Sequence, residues 1–443
     1  MPPRRPVLTL DDLARPATRR PERLHALTAA DLAVGFSLAL DLAEGKPLGH
    51  ARRVCYIATT LADALGLDAE ARGGVYFGAL LHDIGVTPAG AGLCRAAGFD
   101  EDAIFGPLPS RQRQDRQERS FDDHSSVVDA LHRHTELGAE LVRQLELPEE
   151  AARAVAAHHE EWGGGGYPEG GAGHEIPLEA RIVAAADVAE VLIAGQVNAL
   201  VARRRFPALL RDYAAVQLEP RVVGALLEVA RDDGFWLGLY AEDISEMLLA
   251  MRGAVDTRRS RRRVMRFAEV FADLSDAKGA DAVGHSRRTA DGAERLAQAV
   301  QLDDGHVEMV RIAALLHDIG LLGVPARIMS KPDILSVTEM QVMRQHPAHS
   351  ETVLESLPGF EEVAVWVARH HERPDGKGYP EMLDGDEIPL ESRIIAVADV
   401  YAALVTERPH RGALSRKDAK QVLLGMAGTQ LDPELVRTFV TLV

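Results

Sequence analysis

The chain repeats itself, and the repeat keeps register over long distances. Phe77-Gly-Ala-Leu-Leu-His-Asp-Ile-Gly85 matches Ile312-Ala-Ala-Leu-Leu-His-Asp-Ile-Gly320, and His158-His159-Glu160 with Gly166-Tyr167-Pro168 matches His370-His371-Glu372 with Gly378-Tyr379-Pro380. His50 to His82 and His285 to His317 are both 32 positions, His134 to His158 and His346 to His370 both 24, His159 to Asp187 and His371 to Asp399 both 28. A duplicated unit must complete its own core, so the fold has to close twice along this chain. One interval breaks the register: 52 positions from His82 to His134 against 29 from His317 to His346, which gives the first copy 23 extra residues within 95–129. The polar, charged run 109–124 reads as a solvated loop. The expected divisions are an N-terminal arm at 1–23, a first domain at 24–237, a linker at 238–262 and a second domain at 263–443.

Each copy reads as helical. Ala, Leu, Glu and Arg dominate and aromatic residues make up only 5% of the chain, which favours an all-α fold. Val75 to Leu81 and Val310 to Leu316 are apolar runs without polar alternation, as a buried helix ending at the motif Gly would be. The stretches after His50 and His285 carry apolar residues at helical spacing, and the segments ending in His158-His159 and His370-His371 place each pair at a helix end beside a Gly-rich loop. Ile176-Pro-Leu-Glu-Ala-Arg-Ile and Ile388-Pro-Leu-Glu-Ser-Arg-Ile open apolar helices at a Pro, each carrying one inward acid, Asp187 and Asp399.

A formal charge of −17 argues against DNA, RNA or an anionic membrane as a general partner. Cys55 and Cys94 are the only cysteines, too few for a disulfide framework, so a reducing, cytoplasmic setting is expected. No apolar run reaches the length of a membrane span. The basic run Arg258 to Arg266 reads as a solvated face or linker.

An acid inside an apolar helix is costly unless it is paired or bound to a metal. Five histidines and two aspartates recur at fixed intervals in each copy, and imidazole with carboxylate suits a divalent transition metal. His317 and Asp318 are adjacent, so one carboxylate can bridge two ions, the arrangement of a two-metal hydrolase acting on a phosphodiester.

These motifs resemble the HD-GYP family of metal-dependent phosphodiesterases, in two tandem units. In the second unit the likeness rests on Gly284-His285-Ser-Arg-Arg, His317-Asp-Ile-Gly, Gly323-Val-Pro with Lys331-Pro332, His346-Pro, His370-His-Glu-Arg-Pro-Asp-Gly-Lys-Gly-Tyr-Pro380, Ser392-Arg-Ile-Ile-Ala-Val-Ala-Asp-Val-Tyr and Glu407-Arg-Pro-His-Arg411. The resemblance implies an all-helical fold, two or three divalent ions, iron or manganese, and hydrolysis of cyclic di-GMP to the linear dinucleotide or GMP. It implies His285, His317, Asp318, His346, His370, His371 and Asp399 as ligands, with His317 and Asp318 at the catalytic centre. The first-unit counterparts are His50, His82, Asp83, His134, His158, His159 and Asp187. Asp281 falls where some members place an acid for a third ion, or is a surface acid. The first unit has Lys46 there, which cannot ligate while charged.

By the same resemblance Arg408 and Arg411 hold substrate phosphate, where the first unit offers Gln196 and Ala199. Gly163 replaces Asp375, so the first unit is expected to bind, regulate or support rather than catalyse. Leu321 and Val86 stand where the family usually has Lys after the His-Asp-Ile-Gly motif, and Lys377 is a candidate substitute or a solvent-facing side chain. Two alternatives stay open: a phosphohydrolase for another cyclic dinucleotide or nucleotide, and a degenerate signalling protein that binds nucleotide without turnover. A homodimer or a signalling partner is compatible with either.

Overall fold

In a computed structural model of the 443-residue chain, the residues described are 24, 26–90, 124–196, 198–214, 216–253, 259–279, 283–331, 333–407 and 412–443. The arm 1–23, the insertion as far as residue 123, Asp281, Arg408 and Arg411 lie outside them. Among the described residues there is no strand, only two isolated bridges, Ala214 to Leu218 and Ala427 to Leu431. The all-α expectation holds.

The chain divides into two compact units, Leu27–Val270 with Leu322–Lys331 and Phe271–Leu321 with Pro332–Val443. In the first, α1 (Ala29–Glu44), α2 (His50–Ala64), α3 (Ala69–Leu80), α4 (His124–Gln144), α5 (Glu149–Ala157) and α6 (Leu178–Ala194) precede α7 (Ala199–Arg211), α8 (Pro220–Val229), α9 (Asp233–Leu239) and α10 (Ile244–Met251). α3 packs against α5 and α2, and α6 lies on α2. Their starts are set chemically: the Thr28 backbone N–H donates to Asp31 at 2.8 Å and the Thr28 hydroxyl receives the Asp31 N–H in return, which satisfies two N–H groups at the start of α1.

α11 (Arg261–Lys278) leads into α12 (His285–Ala299), α13 (Asp304–Leu316), α14 (Ala326–Met329), α15 (Val337–Met343), α16 (His346–Glu355), α17 (Glu361–Ala368), α18 (Leu390–Leu404), α19 (Arg416–Met426) and α20 (Pro433–Leu442). α12 packs on α13 and α18, and α16 on α17, repeating the core of the first unit. α3 stops at Leu80 and α13 at Leu316, two residues and one residue before the motif histidine rather than at the Gly, so the His-Asp-Ile-Gly segments are tight turns that follow the helices.

Among the described residues of the expected linker at 238–262 lie the end of α9, all of α10 and the start of α11. Phe235, Trp236 and Leu239 of α9 and Leu248 of α10 are buried, with Trp236 edge-on to Phe206 at 5.9 Å and α10 packed on α1 and α2. The large apolar side chains of α9 and α10 need a core, and the first unit supplies it. α11 runs through residue 263, where the second domain is expected to begin; Arg263 is buried, Phe267 stacks on Phe36 at 6.1 Å, and the compact units change between Val270 and Phe271.

Candidate metal centre

In the second unit all seven donors singled out by the repeat come together as two groups, His285 with His317 and Asp399, and Asp318 with His346, His370 and His371. Asp318 joins them through its two oxygens. Its Oδ2 lies 3.3 Å from His317 Nε2 and 3.9 Å from His285 Nε2, while Oδ1 lies 3.3 Å from His346 Nε2 and 3.8 Å from His370 Nε2. Asp399 Oδ1 closes the first group at 3.1 Å from His285 and 3.8 Å from His317. Metal bonds to such donors run about 2.0–2.2 Å, which puts neighbouring donors roughly 3–3.5 Å apart. The 3.1–3.3 Å separations match that spacing, and those of 3.8–3.9 Å are a few tenths of an ångström wider.

The imidazoles are oriented for this by the ends of their own helices. His317, His346 and His370 each donate Nδ1–H to the carbonyl three residues earlier, Ala314, Met343 and Val367, at 2.8, 2.9 and 2.6 Å. A carbonyl only accepts, so the proton sits on Nδ1 and the Nε2 lone pair faces the cluster, the tautomer a metal ligand needs. Those three Nε2 atoms are buried and carry no hydrogen bond. Buried donors of this kind are costly unless something fills the space between them, so the residues fit a divalent pair.

Charge is arranged to match. Burial works against ionisation of Asp318, but His317 and its neighbours hold its carboxyl well below the usual range. Burial together with His346 lowers His371 to about 4, and burial with His371 lowers His370, so both imidazoles are neutral.

The motif glycine is what lets the helices meet. A Cβ on Gly320 would lie 2.0 Å from the His346 carbonyl oxygen, so α16 touches the His317-Asp318 turn backbone to backbone, and the Gly320 N–H donates to Ser350 at 2.9 Å. Gly85 does the same against His134, at 1.9 Å.

The first unit builds the same shell, as His50, His82 and Asp187 and as Asp83, His134, His158 and His159. His82, His134 and His158 again donate Nδ1–H to the carbonyls of Ala79, Leu131 and Val155. One difference is inside the cluster. Lys46 Nζ lies 3.0 Å from His50 Nε2, 3.1 Å from Asp83 Oδ2 and 2.6 Å from Glu44. Burial opposes its charge, but Glu44, Asp83 and Asp187 hold its pKa well above that of a free lysine. His50 also donates Nδ1–H to Glu190 at 2.6 Å, where the second unit has Ala402 at the matching position.

Several supporting side chains escaped the reading of the sequence. Asp41 accepts the N–H groups of Gly49 and Ala51 at 2.6 and 3.0 Å, and Asp276 accepts the backbone N–H and the hydroxyl of Ser286, so each carboxylate pins the helix start that carries His50 or His285. Glu372 accepts from Glu381, Met382 and Leu383 at 2.6–3.1 Å, and Glu160 from Glu169 and Gly170, which shapes the loop after each His pair. That loop presents Tyr379 against His371 and Tyr167 against His159, ring centres 4.8 Å apart in both. The signal was available: Asp41 and Asp276 both precede their histidine by nine positions, and the two glutamates follow their His pairs directly. Arg344 lies over the Tyr379 ring at 5.2 Å. Lys377 is exposed on the loop and outside the donor groups, and Asp375 is tied to Arg373 at 2.7 Å.

Family models of the HD domain match residues 48–192 and 261–435. The chain is 29% identical to the 3′3′-cGAMP-specific phosphodiesterase 3 of Vibrio cholerae over 429 residues, 91% of this chain and 92% of that protein. The crystal structure of a cyclic GMP-AMP specific phosphodiesterase of V. cholerae superposes with a TM-score of 0.67 at 26% identity, covering 94% of this chain and 97% of that one. This chain is a tandem HD-GYP protein. A shorter likeness, 41% over 143 residues, links it to the cyclic di-GMP phosphodiesterase response regulator RpfG of Xanthomonas campestris, over 32% of this chain and 38% of that protein. Among the described residues of this HD-GYP pair no helix is long and apolar enough to cross a membrane.

Proposed function

We propose that the second HD-GYP unit is a metal-dependent phosphodiesterase that opens a cyclic dinucleotide, with 3′3′-cGAMP as its first substrate. The observation that carries this is the shared carboxylate, Asp318, with one oxygen toward each group of histidines. Two divalent ions, iron or manganese, would lower the pKa of a water and offset charge on the phosphate oxygens. The chain's own part is to hold His285, His317, Asp399, His346, His370 and His371 around Asp318, with the Nε2 atoms of His317, His346 and His370 free of hydrogen bonds. Tyr379 braces His371, and Arg344, exposed over the Tyr379 ring, offers a guanidinium near the cluster where the family's usual lysine is replaced by Leu321. Arg408 and Arg411 are proposed to hold the second phosphate.

The choice of 3′3′-cGAMP rests on the likeness that spans 91% of this chain and 92% of the V. cholerae enzyme. Cyclic di-GMP is the second reading, supported by the Asp375-Gly-Lys-Gly-Tyr-Pro380 motif and the local identity to the X. campestris protein. Both are tested together. Protein loaded anaerobically with Fe(II) or Mn(II) should linearise 3′3′-cGAMP faster than cyclic di-GMP, followed by chromatography of the products. His317→Ala and Asp318→Ala should reduce turnover to background, and His82→Ala should leave most of it. A fully loaded protein that opens neither nucleotide would reject the enzyme reading in favour of nucleotide binding, and a reversed order of rates would make cyclic di-GMP the substrate.

A further inference from the structure

The two units share a donor shell but differ in what lies between the donors. In the first unit the Lys46 ammonium sits between His50 Nε2 and Asp83 Oδ2, at 3.0 and 3.1 Å, and its side chain is only 9% exposed. An imidazole nitrogen has one lone pair in the ring plane, and His50 Nδ1 is already engaged with Glu190. With an N–H of Lys46 on that lone pair, His50 has nothing left to give a metal. Asp83 Oδ2, the oxygen that faces His82 at 3.1 Å, is held by the same ammonium. A divalent ion bonded to these atoms would also face a positive charge at contact distance, a strongly unfavourable pairing in a buried site.

The remaining donors are untouched by it. Asp83 Oδ1 lies 3.4 Å from His158 Nε2 and 3.8 Å from His134 Nε2, with His159 in the same group. The lysine is also built in rather than incidental. Glu44 anchors Nζ at 2.6 Å, and the positions matching Glu44 and Lys46 in the second copy are Gly279 and Asp281, so the acid and the base are both peculiar to the first.

We propose that Lys46 is a tethered cation that takes the place of one metal ion in the first unit. The His50, His82 and Asp187 position is thereby closed to metal, and this unit binds a single ion through Asp83, His134, His158 and His159. The inference rests on the reading of these clusters as metal sites but not on any substrate. A hydrolase of this kind needs a second ion across the bridging carboxylate, so the lysine accounts for a unit that keeps its histidines yet leaves catalysis to the other.

Metal content decides it. The full chain, reconstituted anaerobically with Mn(II) and desalted, should gain one equivalent of manganese per chain when Lys46→Met removes the charge at nearly constant length, and none with Lys46→Arg. The same count on a chain carrying His285→Ala, His317→Ala, His346→Ala and His370→Ala reads the first unit without altering Lys46. One ion per chain with the electron paramagnetic resonance of an isolated Mn(II) is expected. Two ions per chain, or the exchange-coupled spectrum of a manganese pair, would overturn the proposal, as would an unchanged count for Lys46→Met. Failure of cyclic dinucleotide hydrolysis would leave these counts where they are and would fall on the substrate reading alone.

Discussion

Gly320 shows how much of the centre depends on an absent side chain. Its Cα faces the His346 carbonyl oxygen and the Ser350 N–H so closely that an added Cβ would sit 2.0 and 2.6 Å from them. Both are backbone atoms and cannot rotate away, so Gly320→Ala must push α16 off the motif turn and carry His346 Nε2 away from its 3.3 Å approach to Asp318. We expect a loss of roughly 1–3 kcal/mol in stability, the usual cost of overpacking, and metal depletion in the His346 group. Thermal unfolding and metal analysis of the variant check this, and wild-type values in both would contradict it. That these seven side chains converge was legible in the sequence because residues that must meet at one point keep a fixed register, and two copies display that register twice. Lys46 was legible only as a residue unable to ligate. That its long side chain turns back into the cluster depends on Glu44 anchoring its ammonium, and a contact two residues apart leaves no periodic trace.

At the scale of elements, α11 carries an inward face that its composition does not display. The run Arg258 to Arg266 reads as a solvated face or linker by composition; Arg261 and Arg262 are exposed, but Arg263 is buried and, just beyond the run, Phe267 stacks on Phe36 of α1. A run of arginines conceals an inward stripe because the guanidinium stems bury while the heads find partners, as Arg266 does with Glu146 at 2.7 Å. Phe267 belongs energetically to the first unit although its helix goes on into the second. Phe267→Ala is therefore expected to destabilise the first unit by about 3–5 kcal/mol, while turnover, assigned to the second unit, persists below the new unfolding transition. Urea denaturation followed by site-specific fluorescence near Trp236 and near Trp366 separates the two. Simultaneous destabilisation of both units to the same extent would show that α11 couples them.

On the scale of the whole molecule, the duplication yields two solutions to one electrostatic problem, how to bury Asp83 with Asp187 and Asp318 with Asp399 among apolar helices. The first unit carries part of its compensation covalently, in Lys46. In the second, the cationic side chains among the described donor groups are histidines, with no lysine at the position matching Lys46, which is Asp281. Without metal it must balance its carboxylates with protons, and accordingly His317, against the effect of burial, is drawn well above its ordinary pKa by Asp318. Ions that bind only the folded state add stability in proportion to the logarithm of their free concentration over the dissociation constant, so their removal should cost the second unit more. Hydrogen exchange by mass spectrometry on the full chain, before and after chelation, should show amide protection falling further in α13, α16, α17 and α18 than in the corresponding α3, α4, α5 and α6. Equal loss in both would mean that Lys46 contributes no more to holding its cluster together than protonated histidines do, since the two donor shells otherwise correspond residue for residue.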